Sequence, residues 1–430
     1  MVPGTSNGDR ISALNGPHRR IEIAGGPFGN ANQSHNGSSA VPVNAIPDIR
    51  WIQQIDEVPP SAWDALAGAL ATPFLEWEWL RLLEVSGSVT AEKGWLPHHL
   101  TLWRGDDLVA AAPLYIKGHS VGEFVFDHAW ADAARRLDVD YYPKLVGMSP
   151  FSPTIGYRFL IAPGEDPQQI TALMVSAIDH LVHRYRLGGC SFNYVDPDWG
   201  RHLTQYGFLS WTHQSFAWHN QDYRSFDDYL AIFKSNQRRN IRRERKAMSD
   251  QDIQLVPIAG SAITHDLFPH MYRLYTATNA QFGPWGCKYL TEDFFLGLYE
   301  RYRERILLIA AYQGDTTALP IGMSFLLVKG NRMYGRYWGA SRAANALHFN
   351  ACYYRPIEWA IEKGIRIFDP GIGGEHKIRR GFEAVPNYSY HRFRDDRMQE
   401  VLRLNIGRIN HMEQAHIDAI NSERPLAETP

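Results

Sequence analysis

Cysteine is scarce in this chain of 430 residues: Cys190, Cys287 and Cys352 are its three, with no C-x-x-C spacing. An odd, small count argues against a disulfide framework or a structural zinc, and it makes the reducing cytoplasm the expected setting. No apolar run approaches 18 residues and no basic-then-apolar leader is present, so neither a membrane span nor a signal peptide is expected. Charge of one sign is also lacking. Lys plus Arg number 44 against 46 Asp plus Glu, a net of -2. That argues against coating nucleic acid with the whole surface and leaves room for a local basic site. G-x-S-x-G is missing, as are H-E-x-x-H, paired-His spacing and G-x-x-x-x-G-K-[ST]. No serine triad, bound metal or phosphate loop is specified.

Aromatics, by contrast, are plentiful at 13%, with 13 Trp, and suggest large cores or stacking pockets. The length predicts two domains. Residues 1–48, rich in Gly, Asn, Ser and Pro, read as a disordered extension that cannot offset its ordering entropy. Folded structure is expected from about residue 49, in domains over 49–222 and 223–400. Residues 401–430 read as a C-terminal helix, from about Asn405, and a frayed tail.

The two expected domains repeat one another. HHLTLWRGDDLVAAAPLYIKGHSVGEFVF, from His98, and RILLIAAYQGDTTALPIGMSFLLVKGNRMYGRYW, from Arg305, each read as three strands joined by Gly-Asp and Lys-Gly turns. Such pairs mark hairpins because they tolerate positive φ. Each unit is followed by a helix, a strand, Gly-Phe and a last strand. That order is the layout of the GNAT acyltransferase fold, and an α/β (α+β) architecture of tandem GNAT-like domains around a central cleft is expected.

Four segments carry candidate chemistry. In KSNQRRNIRRERK (234–246) a helical wheel gathers Lys234, Arg238, Arg239, Arg242, Arg243, Arg245 and Lys246 on one half, with Glu244 on the apolar side. Cations this dense repel at i, i+4, and a polyanion such as tRNA, a nucleotide or a lipid diphosphate would relieve them; a solvated face is the alternative. FDPGIGGEHKIRRGF (368–382) combines a glycine-rich strand exit with Glu375, His376, Lys377, Arg379 and Arg380, a pattern suited to an anion-holding rim. RMYGRYWGASRAANALHFNACYYRP (332–356) supplies Arg336, Tyr337, Trp338 and His348. Its turn SRAANAL lacks the glycines of the R/Q-x-x-G-x-G/A cradle that holds the coenzyme A pyrophosphate, as does PFSPTIGYRF (150–159) in the first half. FDHAWADAARRLDVDYYPKL (126–145) sets Asp127, His128 and Trp130 ahead of Tyr141, Tyr142 and Lys144.

Taken in order, DHAWADA with YYPKL, FSPTIGYR, SNQRRNIRRER, FGPWGCKYL, YGRYWGA with LHFNACYY, and GEHKIRRGF resemble the FemAB-like, or peptidoglycan biosynthesis/recognition, family of the GNAT superfamily. The resemblance covers nearly all of residues 50–400. More remotely the layout is similar to Fem-type aminoacyltransferases, which carry an amino acid from aminoacyl-tRNA to a cell-wall precursor amine. It implies an acyl- or aminoacyltransferase that forms an amide, with no tightly bound cofactor and aminoacyl-tRNA or acyl-CoA as co-substrate. The acceptor is then a cell-wall peptide or an amine-bearing small molecule. Backbone N–H groups around Tyr337 are expected to stabilise the oxyanion, and His348, His376 and Asp369 to accept or orient the amine proton. Glu375, Lys377, Arg380, Arg336, Trp338, Asp127, His128, Trp130 and Lys144 are the expected substrate-binding residues. Arg238, Arg239, Arg242 and Arg243 are expected to meet tRNA. A non-catalytic protein that recognises peptidoglycan precursors is the reading from another class.

Overall fold

The computed structural model describes residues 46–283 and 286–427, so the expected extension lies outside the described residues up to residue 45. The first half carries β1 (Asp48–Ile52), β2 (Trp95–Pro97), β3 (His99–Arg104), β4 (Asp107–Ala112), β5 (Leu114–Lys117), β6 (Lys144–Gly147), β7 (Leu160–Ile161), β8 (Gly189–Phe192) and β9 (Leu209–His219). The second carries β10 (Ile253–Ala259), β11 (Ile306–Gln313), β12 (Gly322–Lys329), β13 (Arg332–Ala340), β14 (Ile367–Asp369) and β15 (Glu383–Phe393). Eleven strands form one sheet in the order β10-β11-β12-β13-β14-β9-β15-β8-β6-β5-β2, and β1-β3-β4-β7 form a second.

Three of the four expected hairpins are present, β3 with β4, β11 with β12 and β12 with β13. Arg104 pairs with Asp107 across Gly105-Asp106, and Lys329 with Arg332 across Gly330-Asn331, with both glycines at positive φ. Pro113, which has no N–H to give a ladder, separates β4 from β5 and lets the chain pass from the small sheet into the large one. One expectation is corrected here. VGEFVF (121–126) is not the third strand of the first unit; β6 takes that place after an inserted helix, His128–Arg136. Glu123, inside that stretch, is drawn instead into an ion cluster described below.

The halves are bound together by their last strands. β9 runs antiparallel to β14 and β15, while β15 also pairs with β8. Each half therefore contributes its terminal strand to a ladder with the other, and β9 lies across from second-half strands although it precedes residue 222. A continuous apolar core runs across both halves, from Trp63 and Trp79 to Phe294, Phe325 and Tyr334. Glu76 fastens it: its carboxylate takes Lys329 at 2.8 Å, Arg305 at 2.8 Å and the Tyr302 hydroxyl at 2.6 Å.

The C-terminal helix starts earlier than its sequence suggests, spanning Asp396–Ser422, because Asp395 caps it by accepting from the Arg397 and Met398 amides. Nor is the described tail frayed: the Lys234 amide donates to Pro425 and the Ala427 amide to Ile232, which pins the tail to the start of the basic helix.

Candidate active site at the parting of two strands

β13 and β14 pair in parallel only from Arg332–Ile367 to Tyr334–Asp369. Beyond Tyr334 they part. Opposite this parting the register of β13 on β12 slips, so that Phe325 faces Tyr337, Leu326 faces Gly335, and Arg336 is an extra residue in a bulge. The edge of β13 that faced β14 thus has no strand partner from Gly335 to Trp338 among the described residues. Helix Leu267–Ala280 packs directly on β13 at Gly339, where an added Cβ would lie 2.2 Å from the Leu274 carbonyl carbon. An unpaired edge presents backbone amides to a ligand carbonyl, as an oxyanion hole requires.

A cavity of about 560 Å³ opens onto this edge and is lined by Arg336, Tyr337, Trp338, His348, His376 and Lys377, together with Ser324, Cys352 and Tyr353. Six residues singled out in two separate sequence segments therefore meet around one space. A smaller chamber of about 250 Å³ adjoins β13 as well and shares Arg336, Tyr337 and Trp338 with the first. Asp369 stands at the fork, accepting from the Gly371 amide at 2.8 Å and facing Arg336 at 3.4 Å. Glu375 is exposed on the rim.

The cations beside the cavity have partners within the protein. Lys377 is 2% exposed and its ammonium donates to the carbonyls of Gly371 (2.8 Å), Ile372 (3.0 Å) and Gly373. All three of its protons are taken, in a loop whose glycines 371, 373 and 374 adopt positive φ. Burial, against the opposing charge of Asp369, brings the amine down to about 8. Arg380 pairs with Glu244 of the basic helix at 2.9 Å and stacks 3.4 Å over Phe349. These contacts let Lys377 and Arg380, expected to grip substrate phosphate or carboxylate, brace the loop as well. Lys377→Met is expected to leave three carbonyls without a donor, and hydrogen exchange of residues 371–376 should accelerate at least tenfold.

The histidines are held neutral. His376 shares a 3.0 Å hydrogen bond with the Tyr353 hydroxyl, and its ring centroid is 6.1 Å from that of His348. Burial, aided by the neighbouring cations, lowers both imidazoles to about 4. Tyr353 escaped the sequence reading; it sits in a π-helical turn, Asn350–Tyr354, that directs it into the cavity, and such turns leave no periodic signature. Ser324, whose hydroxyl donates to the Ala351 carbonyl at 2.6 Å, escaped too.

The remaining residues lie elsewhere. The basic helix spans Ser235–Asp250 and packs its Ile241 side behind the π-turn. Arg238 donates to the Phe233 carbonyl at 2.7 Å and Arg239 to Asn236, whereas Arg242 and Arg243 are exposed. Arg245 leaves the stripe, pairing with Glu358 at 2.9 Å and covering Phe226, and Lys246 pairs with Asp250. The helix ends at Gln251, whose side chain accepts from the Asn345 amide at 3.0 Å and donates to the Asn345 carbonyl at 3.0 Å. The glycine-free turn ahead of Leu347 is thereby filled by a side chain where a pyrophosphate cradle would keep amides open.

Asp127, His128, Trp130 and Lys144 do not reach the cavity. His128 is exposed at the start of its helix, and Trp130 packs with Trp211 and the C-terminal helix. Lys144 is enclosed between Asp127 (2.5 Å) and Glu123 (2.9 Å), and Asp127 also accepts from Tyr141 (2.7 Å) and Ser120 (2.8 Å).

A meander leading to a parallel pair, β6 with β8 and again β13 with β14, joined through exchanged end strands, defines a tandem GNAT-like fold. The FemAB-like family, described as peptidoglycan biosynthesis/recognition, matches residues 54–428, and the chain belongs to it. No curated protein matches the chain. Among solved structures it is similar to FemX, at 11% identity and a TM-score of 0.48 over 83% of this chain and 99% of that one. L-PGS from Bacillus licheniformis aligns at 10% identity and a TM-score of 0.45, covering 79% and 98%. A tandem GNAT protein from the clavulanic acid biosynthesis pathway aligns at 11% and 0.41, covering 80% and 98%. No helix among the described residues is long and apolar enough to cross a membrane, and no group of His, Cys, Asp and Glu there is arranged to hold a metal.

Proposed function

We propose that the chain transfers an aminoacyl group from aminoacyl-tRNA to an amine, forming an amide at the unpaired edge of β13. The observation that carries this reading is the coincidence of that edge with two neutral imidazoles in one cavity. The donor carbonyl sits against the β13 amides, which stabilise the negative oxygen as the amine adds. His376, oriented by Tyr353, accepts the amine proton and returns it to the departing ribose oxygen. With that ring lowered to about 4, its titration falls well below neutrality, so His376→Ala is expected to depress the rate without moving a limb of the pH profile near pH 7.

For the donor, two features favour tRNA over acyl-CoA. Gln251 fills the turn where a pyrophosphate would lie, and Arg242 and Arg243 expose cations that no acidic group in the helix neutralises. Arg242→Gln with Arg243→Gln should weaken binding of tRNA and flatten its dependence on log salt by about 0.9 for each phosphate that goes unneutralised. Wild-type protein that binds no tRNA at low salt yet binds coenzyme A would move the donor to acyl-CoA. Binding of a wall precursor with no transfer from either donor would make the chain a recognition protein.

A further inference from the structure

The 250 Å³ chamber behind β13 has a wall unlike that of the main cavity. Phe124, Phe151, Tyr275, Tyr289 and Leu290 supply it, and Arg336 is the one charged side chain among its lining residues. The polar groups of Tyr275, Thr278 and Asn279 are already occupied. The Tyr275 hydroxyl donates to the Cys287 carbonyl at 2.6 Å, Asn279 joins the Cys287 amide (2.8 Å) to the Tyr275 carbonyl (2.9 Å), and Thr278 accepts from the Ala340 amide at 3.1 Å. The guanidinium of Arg336 faces Asp369 and stacks over Phe74 at 4.7 Å. A phosphate-bearing ligand would find no unmatched cation here.

Two of the aromatic residues are held in an unfavourable backbone conformation to reach this place. Phe124 and Phe151 have φ of 55° and 56°, in the left-handed region that bulky side chains avoid. Their rings meet at Tyr289, stacked at 4.9 Å for Phe151 and edge-on at 5.9 Å for Phe124. Such strain persists only where the surroundings over-determine it, and here they do. Glu123 and Asp127, on either side of Phe124, are both clamped by Lys144, and the buried Tyr194 hydroxyl donates to the Phe124 carbonyl at 2.8 Å. The DHAWADA–YYPKL segment thus acts from behind the wall. The partition shared with the main cavity is formed by Arg336, Tyr337 and Trp338.

We propose that this chamber is the acceptor subsite and that it takes an amine borne on a flat aromatic body, whose ring packs against Phe124, Phe151 and Tyr289. The proposal rests on the transferase reading for its role, but the binding it describes is measurable without transfer. Isothermal titration of the full chain would compare 2-phenylethylamine, n-butylamine and a UDP-linked muramyl pentapeptide. 2-Phenylethylamine is expected to bind at least tenfold more tightly than n-butylamine. Phe124→Asn, a residue that tolerates positive φ, should erase that ratio without lowering the melting temperature. Tyr289→Leu, which alters the wall without touching the strained backbone, should reduce the ratio as well. Equal affinity for the two amines overturns the proposal, as does a ratio unchanged in both variants or binding of the UDP-peptide alone. If the ring preference holds while no amine is acylated, the transferase reading fails and the chamber's ligand class stands.

Discussion

Lys144→Met is expected to destabilise the fold by about 3–5 kcal/mol, the range for removing one partner of a buried ion cluster. Lys144 is 4% exposed and its ammonium lies between two carboxylates that are themselves fully buried. Burial works to raise both carboxyl groups. At Asp127, Lys144 and the Tyr141 and Ser120 hydroxyls outweigh it and hold the group below its ordinary value, whereas at Glu123 burial prevails. Burial also lowers Lys144, but Asp127 and Glu123 overcome it and keep the amine well above its ordinary value. Methionine would leave both acids without their nearest counter-charge, and Lys117, driven well down by burial, is a poor substitute. Urea denaturation of the variant tests this. Adding Asp127→Asn and Glu123→Gln to Lys144→Met should recover much of the loss, because the uncompensated charges are then gone. A loss below about 1 kcal/mol in the single variant would show that the cluster is not held by charge.

The place of this cluster marks what the sequence could and could not reveal. Asp127, Tyr141 and Lys144 stood out as a chemically dense segment, and they do meet. Nothing in their spacing distinguished a substrate site from a buried anchor, because that depends on enclosure by strands from the far end of the chain. The Arg104–Asp107 and Lys329–Arg332 hairpins were legible for the opposite reason. Gly-Asp and Lys-Gly turns act on their immediate neighbours, and a two-residue connection leaves the hairpin little alternative. The exchange of β9 and β15 was not legible. YGFLSWTHQSFAWH and RGFEAVPNYSYHRF carry similar alternation, so either strand could complete either half, and non-local packing makes the choice.

The candidate site was legible as a set of residues and less so as a set of roles. GEHKIRRGF announced a special loop through its flanking glycines and crowded charges. From Glu375 to Arg380, however, the chain forms a 3-10 turn, and residues three apart eclipse one another in that geometry. Lys377 and Arg380 therefore share the inward face and find carbonyls and Glu244 there. A helical wheel drawn at three residues per turn would have placed them together. Glu244 was placed correctly on the apolar side of the basic helix, and its partner was the missing half of that observation.

Acid is expected to undo this fold well before its carboxylates are titrated, because several histidines are buried in the neutral form. His391 is 3% exposed and shares the Ser389 hydroxyl with His213, at 2.7 and 2.6 Å. Burial, with Lys144 and His213 adding to it, lowers His391 to about 3, and burial lowers His213 to about 4. His348 and His376 are lowered to about 4 for like reasons. In the unfolded chain each imidazole takes its proton near pH 6.5, so between pH 6.5 and about 4 the unfolded state binds more protons than the fold. Stability therefore rises with pH through that window, is fully present above it, and falls as the solution is acidified. At pH 5, 1.5 units below the unfolded value, His391 alone accounts for about 2 kcal/mol. The other three add to this, least of all His376, which water partly reaches. Denaturation midpoints at pH 7 and pH 5 give the total. His391→Gln keeps a side-chain partner for Ser389 but has nothing to protonate, so it should shrink the difference between the two pH values by about 2 kcal/mol. An unchanged difference would mean that His391 is protonated inside the fold, with Asp127 as its counter-charge, and the buried Ser389 pair would then be a charged network rather than a neutral one.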